Sequence, residues 1–154
     1  RRHPQPSHSP GPQMKYRLGV LIALLCACGE SANAPETEHP LFSPDFATSY
    51  QVVRDCRLSN AHDMHFISVA ANYKAANPYR EGRYPLPMGS ILVKSLHEDP
   101  TCTAPVGYVA MRKDDDWIWQ ETTAEFAVNA TGPLQSCIAC HSACGDRDLT
   151  CTEP

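Results

Sequence analysis

Ser90-Ile91-Leu92-Val93-Lys94-Ser95-Leu96-His97 is the stretch on which the fold turns. It is rich in residues that suit a pleated, half-buried surface, and it is bounded by Gly89 on one side and Asp99-Pro100 on the other, so it reads as a strand. Alternation puts Leu92, Lys94 and Leu96 on one face and Ile91 and Val93 on the other. Downstream, Val106 to Arg112 and Trp117 to Thr122 read as two more strands. The turn Lys113-Asp114-Asp115-Asp116 joins them. Upstream, Met64 to Ala71 is an apolar, β-tolerant run. Asn72 is placed to cap a short helix through Tyr79, cut short by Pro78, and Gly82 with Pro85 and Pro87 marks a turn. Ser43-Pro44-Asp45 is a helix start, with Ser as cap and Pro in the first turn, and predicts a helix to about Arg54. Pro133 opens a last helix. Successive strands with short loops imply an α+β fold, a mostly antiparallel β-sheet with flanking helices.

The 154 residues allow one domain, at 41–154. Net charge is −4 with no Lys/Arg stripe, which argues against a nucleic-acid partner. Residues 1–13 (RRHPQPSHSPGPQ) are polar, lack apolar periodicity, and read as a disordered upstream extension before Met14. Lys15 to Arg17 then form a basic flank. Leu18 to Ala27 is an apolar run too short for a bilayer, which needs about 20 residues, and of a size for a signal peptide. Residues 14–28 end in Leu25-Cys26-Ala27-Cys28, followed by Gly29, a run that resembles a lipobox with Cys28 as the lipidated residue. The rival cleavage site is Ala32-Asn33-Ala34. Residues 29–40 are small, polar and acidic, and read as a linker. The expectation is an exported, periplasmic chain, held to the membrane through a lipid anchor only. In that compartment the eight cysteines point to disulfides or cofactor attachment.

The final helix carries Cys137-Ile138-Ala139-Cys140-His141, a C-x-x-C-H motif. Two thiols at that spacing reach the two vinyl groups of haem while the adjacent imidazole reaches the iron, so one covalent haem c per chain is expected. A thioredoxin-like redox motif would sit early, between a strand and a long helix. A zinc site would need a second ligand pair, for which Cys144 and Cys151 are available. The motif lies near the C-terminus and no Met follows it. A sixth iron ligand would come from upstream, from Met64, Met88, Met111, His62, His65 or His97, or be absent. Lys94 stands on the apolar face of its strand. Its stem can lie on that surface with the ammonium in water, or a desolvated amine can become a nucleophile.

Four cysteines outside the motif and the lipobox permit three pairings. Closeness in sequence favours Cys144 with Cys151, leaving Cys56 with Cys102. His65, His97, Glu98 and Glu121 are candidate bases. Trp117 and Trp119 share a strand face and read as core or dimer contacts ahead of pocket walls.

Together these residues resemble the cytochrome P-460 family, over roughly residues 41–154. The likeness rests on the late Cys137-Ile138-Ala139-Cys140-His141 motif. It rests also on Gly89 to Leu96, similar to the family's Gly-x-x-x-Val-Lys-Glu-Leu strand, with Ser95 where the family has Glu. The Met111-Arg112-Lys113-Asp114 turn before Trp117-Ile118-Trp119, and an Asp after the haem motif at Asp146 or Asp148, complete it. The resemblance implies a mostly antiparallel β domain, a homodimer in many members, and a five-coordinate haem on His141. It implies a covalent bond from Lys94 to the porphyrin edge and oxidation of hydroxylamine, with electrons leaving to an external acceptor. The related cytochromes c′-beta share the fold, lack that bond, and bind nitric oxide or carbon monoxide. A plain electron carrier is the third reading.

Overall fold

The computed structural model describes residues 38–151, which fall within one compact unit, Glu36–Pro154. The expected extension, signal peptide, lipidated Cys28 and most of the linker lie outside the described residues. The core is one six-stranded sheet in which every neighbouring pair is antiparallel, in the order β1 to β6. Its strands are β1 (Gln51–Leu58), β2 (Phe66–Ala71), β3 (Ile91–His97), β4 (Pro105–Lys113), β5 (Trp117–Thr123) and β6 (Val128–Gly132). Three short helices accompany it: α1 (Phe46–Ser49), α2 (Ala76–Arg80) and α3 (Gln135–His141). A 3-10 segment, Ser142–Arg147, follows α3 with a kink at Cys144.

Strands β2 to β5 lie where the apolar runs predict them. The N-terminal helix does not extend to Arg54: α1 ends at Ser49, and Gln51 onward becomes the edge strand β1. The helix-start signal at Ser43-Pro44 is local, whereas Val52 and Val53 are β-branched and gain a ladder with β2, so pairing outweighs propensity. Strand β6 (VNATG) has no apolar run to announce it, and it forms because β5 offers it a pairing edge. Helix α2 runs through Pro78, whose missing N–H falls in the first turn, where no intrahelical partner exists. Asn72 braces the start of this region. Its Oδ1 accepts from the amides of Ala75 and Ile91 (both 3.1 Å), and its Nδ2 donates to the Gly89 carbonyl at 2.8 Å.

Both faces of the sheet are covered, which explains why Leu92, Val93 and Lys94 are buried in succession. On one face Val93, Tyr108 and Ala110 meet Phe42 and Phe46. Phe42 packs edge-on against Phe46 at 5.1 Å between ring centroids, and Tyr108 stacks on Phe126 at 5.1 Å. The fully buried Gln120 fastens the chain leading into this cluster, accepting from the Leu41 amide at 2.7 Å and donating to the His39 carbonyl at 3.1 Å. On the other face Val69, Leu92, Met111, Trp117 and Trp119 pack against Ala75, Ala76 and Tyr79, with Cys137, Ile138 and Leu149 at the margin.

Cys56 is bonded to Cys102 and Cys144 to Cys151, the favoured pairing; they close separations of 46 and 7 residues. Among the described residues no helix is long and apolar enough to cross a membrane.

Candidate functional site

Helix α3 places Cys137 and His141 one turn apart on the same side, with Cys140 beside them. These two cysteines are the free ones among the described residues; the other four are in disulfides. Cys137, Cys140 and His141 all line one solvent-open cleft of about 1260 Å³. Its far wall is built from Leu96, Val109, Trp119 and Glu121 of the sheet and from His62 and His65 of the β1–β2 loop. A second opening, of about 1010 Å³, shares His62, Cys140 and His141 with the first and adds Arg54, Arg57 and Lys94. Its lining holds three basic side chains and no carboxylate, in a chain whose net charge is −4.

His141 is 8% exposed. Its Nδ1 lies 2.6 Å from the Leu149 carbonyl oxygen, an acceptor, so Nδ1 carries the proton and donates. That fixes the tautomer and leaves Nε2 with its lone pair, as a metal-ligating histidine requires. Burial lowers the pKa of His141, against the Leu149 hydrogen bond that raises it, and Lys94 lowers it further. The indole of Trp119 stands edge-on to the imidazole at 4.6 Å, and its Nε1 is buried without a partner.

Lys94 is nearly buried. It is 8% exposed and stands in a row across the sheet, where Arg54 pairs with Val69, Val69 with Lys94, Lys94 with Val109, and Val109 with Glu121. The ammonium is 2.9 Å from His62 Nε2. Desolvation, reinforced by Arg54, pushes the pKa of Lys94 down to about 8, and desolvation with the Lys94 charge pushes that of His62 down to about 4. At neutral pH, then, Lys94 donates to an unprotonated His62 Nε2. The Nδ1–H of His62 donates in turn to Ser59 Oγ at 3.0 Å. The imidazoles of His62 and His141 are 6.5 Å apart between centroids.

The other sequence candidates divide. His65 and Glu121 line the larger cleft, and Met111 lines a smaller, mostly apolar cavity together with Lys94, Trp119 and His141. Met64 and Met88 are 59% and 64% exposed, and Glu98 is exposed. His97 is 4% exposed with neither ring nitrogen partnered, and it lines none of these three spaces. Trp117 is a core residue, whereas Trp119 is both core and cleft wall. Of the two aspartates after the motif, Asp146 is exposed and Asp148 is held by hydrogen bonds.

No family model matches the chain, and no curated protein matches it.

Two features were not legible beforehand. The acceptor for His141 is a main-chain carbonyl, which carries no residue-type signal. His62 was one histidine among several until the β1–β2 loop brought it to Lys94. The zinc alternative loses its second ligand pair, because Cys144 and Cys151 are bonded to each other. No group of three or more His, Cys, Asp or Glu is arranged to hold a metal ion among the described residues. Burial raises the Cys137 thiol pKa, the reverse of the activated thiol that a thioredoxin-like motif needs.

Proposed function

We propose that this chain is an exported c-type haem protein resembling cytochrome P-460, acting on hydroxylamine or a related small nitrogen species at a five-coordinate haem. One observation carries the reading. His141 presents a tautomer-fixed, unprotonated Nε2 on the same helix turn as two unpaired thiols, and all three line one cleft. Cys137 and Cys140 would form the thioethers and His141 the proximal bond. Arg54 and Arg57 offer positive charge to the acidic edge of the group, and Arg54 Nε is buried without a partner. Bound there, haem would supply a Lewis-acidic, redox-active iron.

The chain's own groups suit that role. Trp119, Val109 and Leu96 form an apolar wall that excludes water on the sheet side. His65 and Glu121 stand at the cleft as proton acceptors for a substrate that loses protons on oxidation. Lys94 lies in the same space as Cys140 and His141, with an amine whose proton is loosened by burial, which supports the family's lysine linkage as a property of Lys94. The hydrogen bond from Lys94 occupies His62 Nε2, so in this arrangement His62 would not serve as a second ligand to a bound iron.

A second reading has an observation of its own. The His62 and His141 rings lie 6.5 Å apart, so if His62 Nε2 gave up its hydrogen bond from Lys94 it could serve as a second ligand to a bound iron, and the protein would then be a closed-site electron carrier. A cytochrome c′-beta-like binder of nitric oxide, without turnover, shares the open site but not the Lys94 linkage.

Expression of the full chain with cytochrome-maturation machinery tests these readings. The mass should rise by one haem, and Cys137→Ser with Cys140→Ser should abolish the gain; colourless protein would overturn the reading. An open site should bind carbon monoxide in the ferrous state. A low-spin spectrum indifferent to it, and opened by His62→Ala, would favour the carrier. A haem peptide that contains Lys94 together with Cys137 and Cys140 would separate the oxidase from the nitric oxide binder. Turnover of hydroxylamine with an artificial acceptor should be lost in Lys94→Ala.

A further inference from the structure

We infer that Asp148 is the positioning residue for the proximal imidazole: its carboxylate bolts down a two-residue left-handed turn whose second carbonyl holds His141. The inference rests on the haem reading above and adds a determinant of how strongly the imidazole donates to the metal.

Asp148 and Leu149 both adopt positive φ, 53° and 63°, in succession. Neither is glycine, and for Leu149 there is no side-chain hydrogen bond to ease the conformation. Left-handed backbone costs roughly 1–2 kcal/mol per residue and persists only where the surroundings over-determine it. Here they do. Asp148 Oδ1 accepts from Lys113 Nζ at 2.6 Å and from Trp117 Nε1 at 3.2 Å, and its Oδ2 accepts from the Leu86 amide at 2.9 Å. The side chain is 10% exposed, so these bonds form with little competition from water. The turn is thereby tied to β4, to β5 and to the segment after α2. The amides of Asp148 and Leu149 return to the carbonyls of Gly145 and Cys144, at 3.2 and 3.0 Å, and the Cys144–Cys151 disulfide encloses the segment.

What the turn delivers is the Leu149 carbonyl, 2.6 Å from His141 Nδ1. A strong acceptor at Nδ1 gives the imidazole imidazolate character and strengthens its bond to a metal at Nε2. Without the carboxylate, the turn keeps only its two backbone bonds and the enclosing disulfide, and relaxation swings the Leu149 carbonyl away. A merely structural Asp148 would influence stability and leave the ligand bond unchanged.

The readout is therefore the iron–histidine stretching frequency of the ferrous holoprotein by resonance Raman, in the wild type, Asp148→Asn and Asp148→Ala. The expected result is a fall in frequency, small in Asn, which keeps one acceptor oxygen, and larger in Ala. Adding Lys113→Met to Asp148→Asn restores net charge, and the frequency should stay low. If Asp148→Ala does not fold, Trp117→Phe removes one donor to the carboxylate and should produce a smaller fall. Folded variants with the wild-type frequency would overturn the inference. A chain that gains no haem mass fails the haem reading instead. In that case nitrogen-15 NMR of the chain as isolated replaces Raman. His141 should be the Nδ1–H tautomer in the wild type and a mixture in Asp148→Asn, and an unchanged tautomer would overturn the inference.

Discussion

The two faces of this one sheet both pack apolar side chains but differ in what else they bury. The face under Phe42 and Phe46 is an aromatic cluster of Tyr108, Phe126 and their neighbours, where packing alone is at stake. The other face carries Arg54, Lys94 and Glu121 in a single row, with a buried ammonium bonded to one imidazole and a second imidazole held by a backbone carbonyl. Burying apolar area stabilises the first at roughly 25 cal/mol per Å². Burying Lys94 costs free energy that its single contact to His62 offsets only in part. Both faces therefore supply stability through apolar packing, and the second also holds a buried cation whose desolvation opposes it.

The largest expected effect comes from breaking the aromatic face. Phe46 is 5% exposed, and Phe46→Ala should destabilise the fold by about 3–5 kcal/mol in urea denaturation. The folded-state environment of Lys94 should be untouched, so the NMR chemical shift of its Nζ in the folded variant should not change.

Of opposite sign is Lys94→Met. Replacing a buried ammonium with an apolar side chain of similar length should raise stability by roughly 1–3 kcal/mol at pH 7, while the function proposed for this face is lost. A loss of stability instead would mean that the Lys94–His62 contact contributes more than the burial costs, and the contrast between the faces would fail.

Loss of the Cys144–Cys151 bridge should cost about 2–3 kcal/mol by loop entropy. The damage should be local. Hydrogen exchange should quicken around His141 and Leu149 and remain slow in β3 and β4.

The last contrast is in pH dependence. Lys94 ionises at about 8 in the fold and near 10.5 when unfolded, so the unfolded chain binds more protons between those values. Stability should rise with pH across that window, and the rise should vanish in Lys94→Met. His62 is held down to about 4 against an ordinary 6.5, so the unfolded chain takes up the proton first as acid is added. The contribution of neutral His62 is complete above pH 6.5 and should be lost as pH falls from there toward 4. His62→Phe should flatten that limb of the profile. Urea midpoints as a function of pH check both signs.

Much of this division could be read from residue order. The run Ile91 to Leu96 is apolar at alternating and adjacent positions because both faces are covered, and its boundaries are marked by Gly89 and Pro100. The pairing of Cys144 with Cys151 followed from proximity along the chain. Strand β1 departs from the helix its cap signal predicts because that signal acts over one turn, whereas its pairing with β2 is decided across the intervening loop. Strand β6 went unseen because half-exposed residues carry no strong pattern.

Sequence by itself determined the central strands and the placing of two thiols and an imidazole on one helical turn, and it favoured the Cys144–Cys151 pair, because those depend on local pattern and short spacing. Tertiary structure alone decided that Lys94 meets His62 and that Leu149 turns left-handed to hold His141. It also decided that Arg54 and Arg57 share a cleft with the C-x-x-C-H helix. Those contacts join residues 8 to 87 positions apart, and only the closed sheet and the folded-back tail bring them within range.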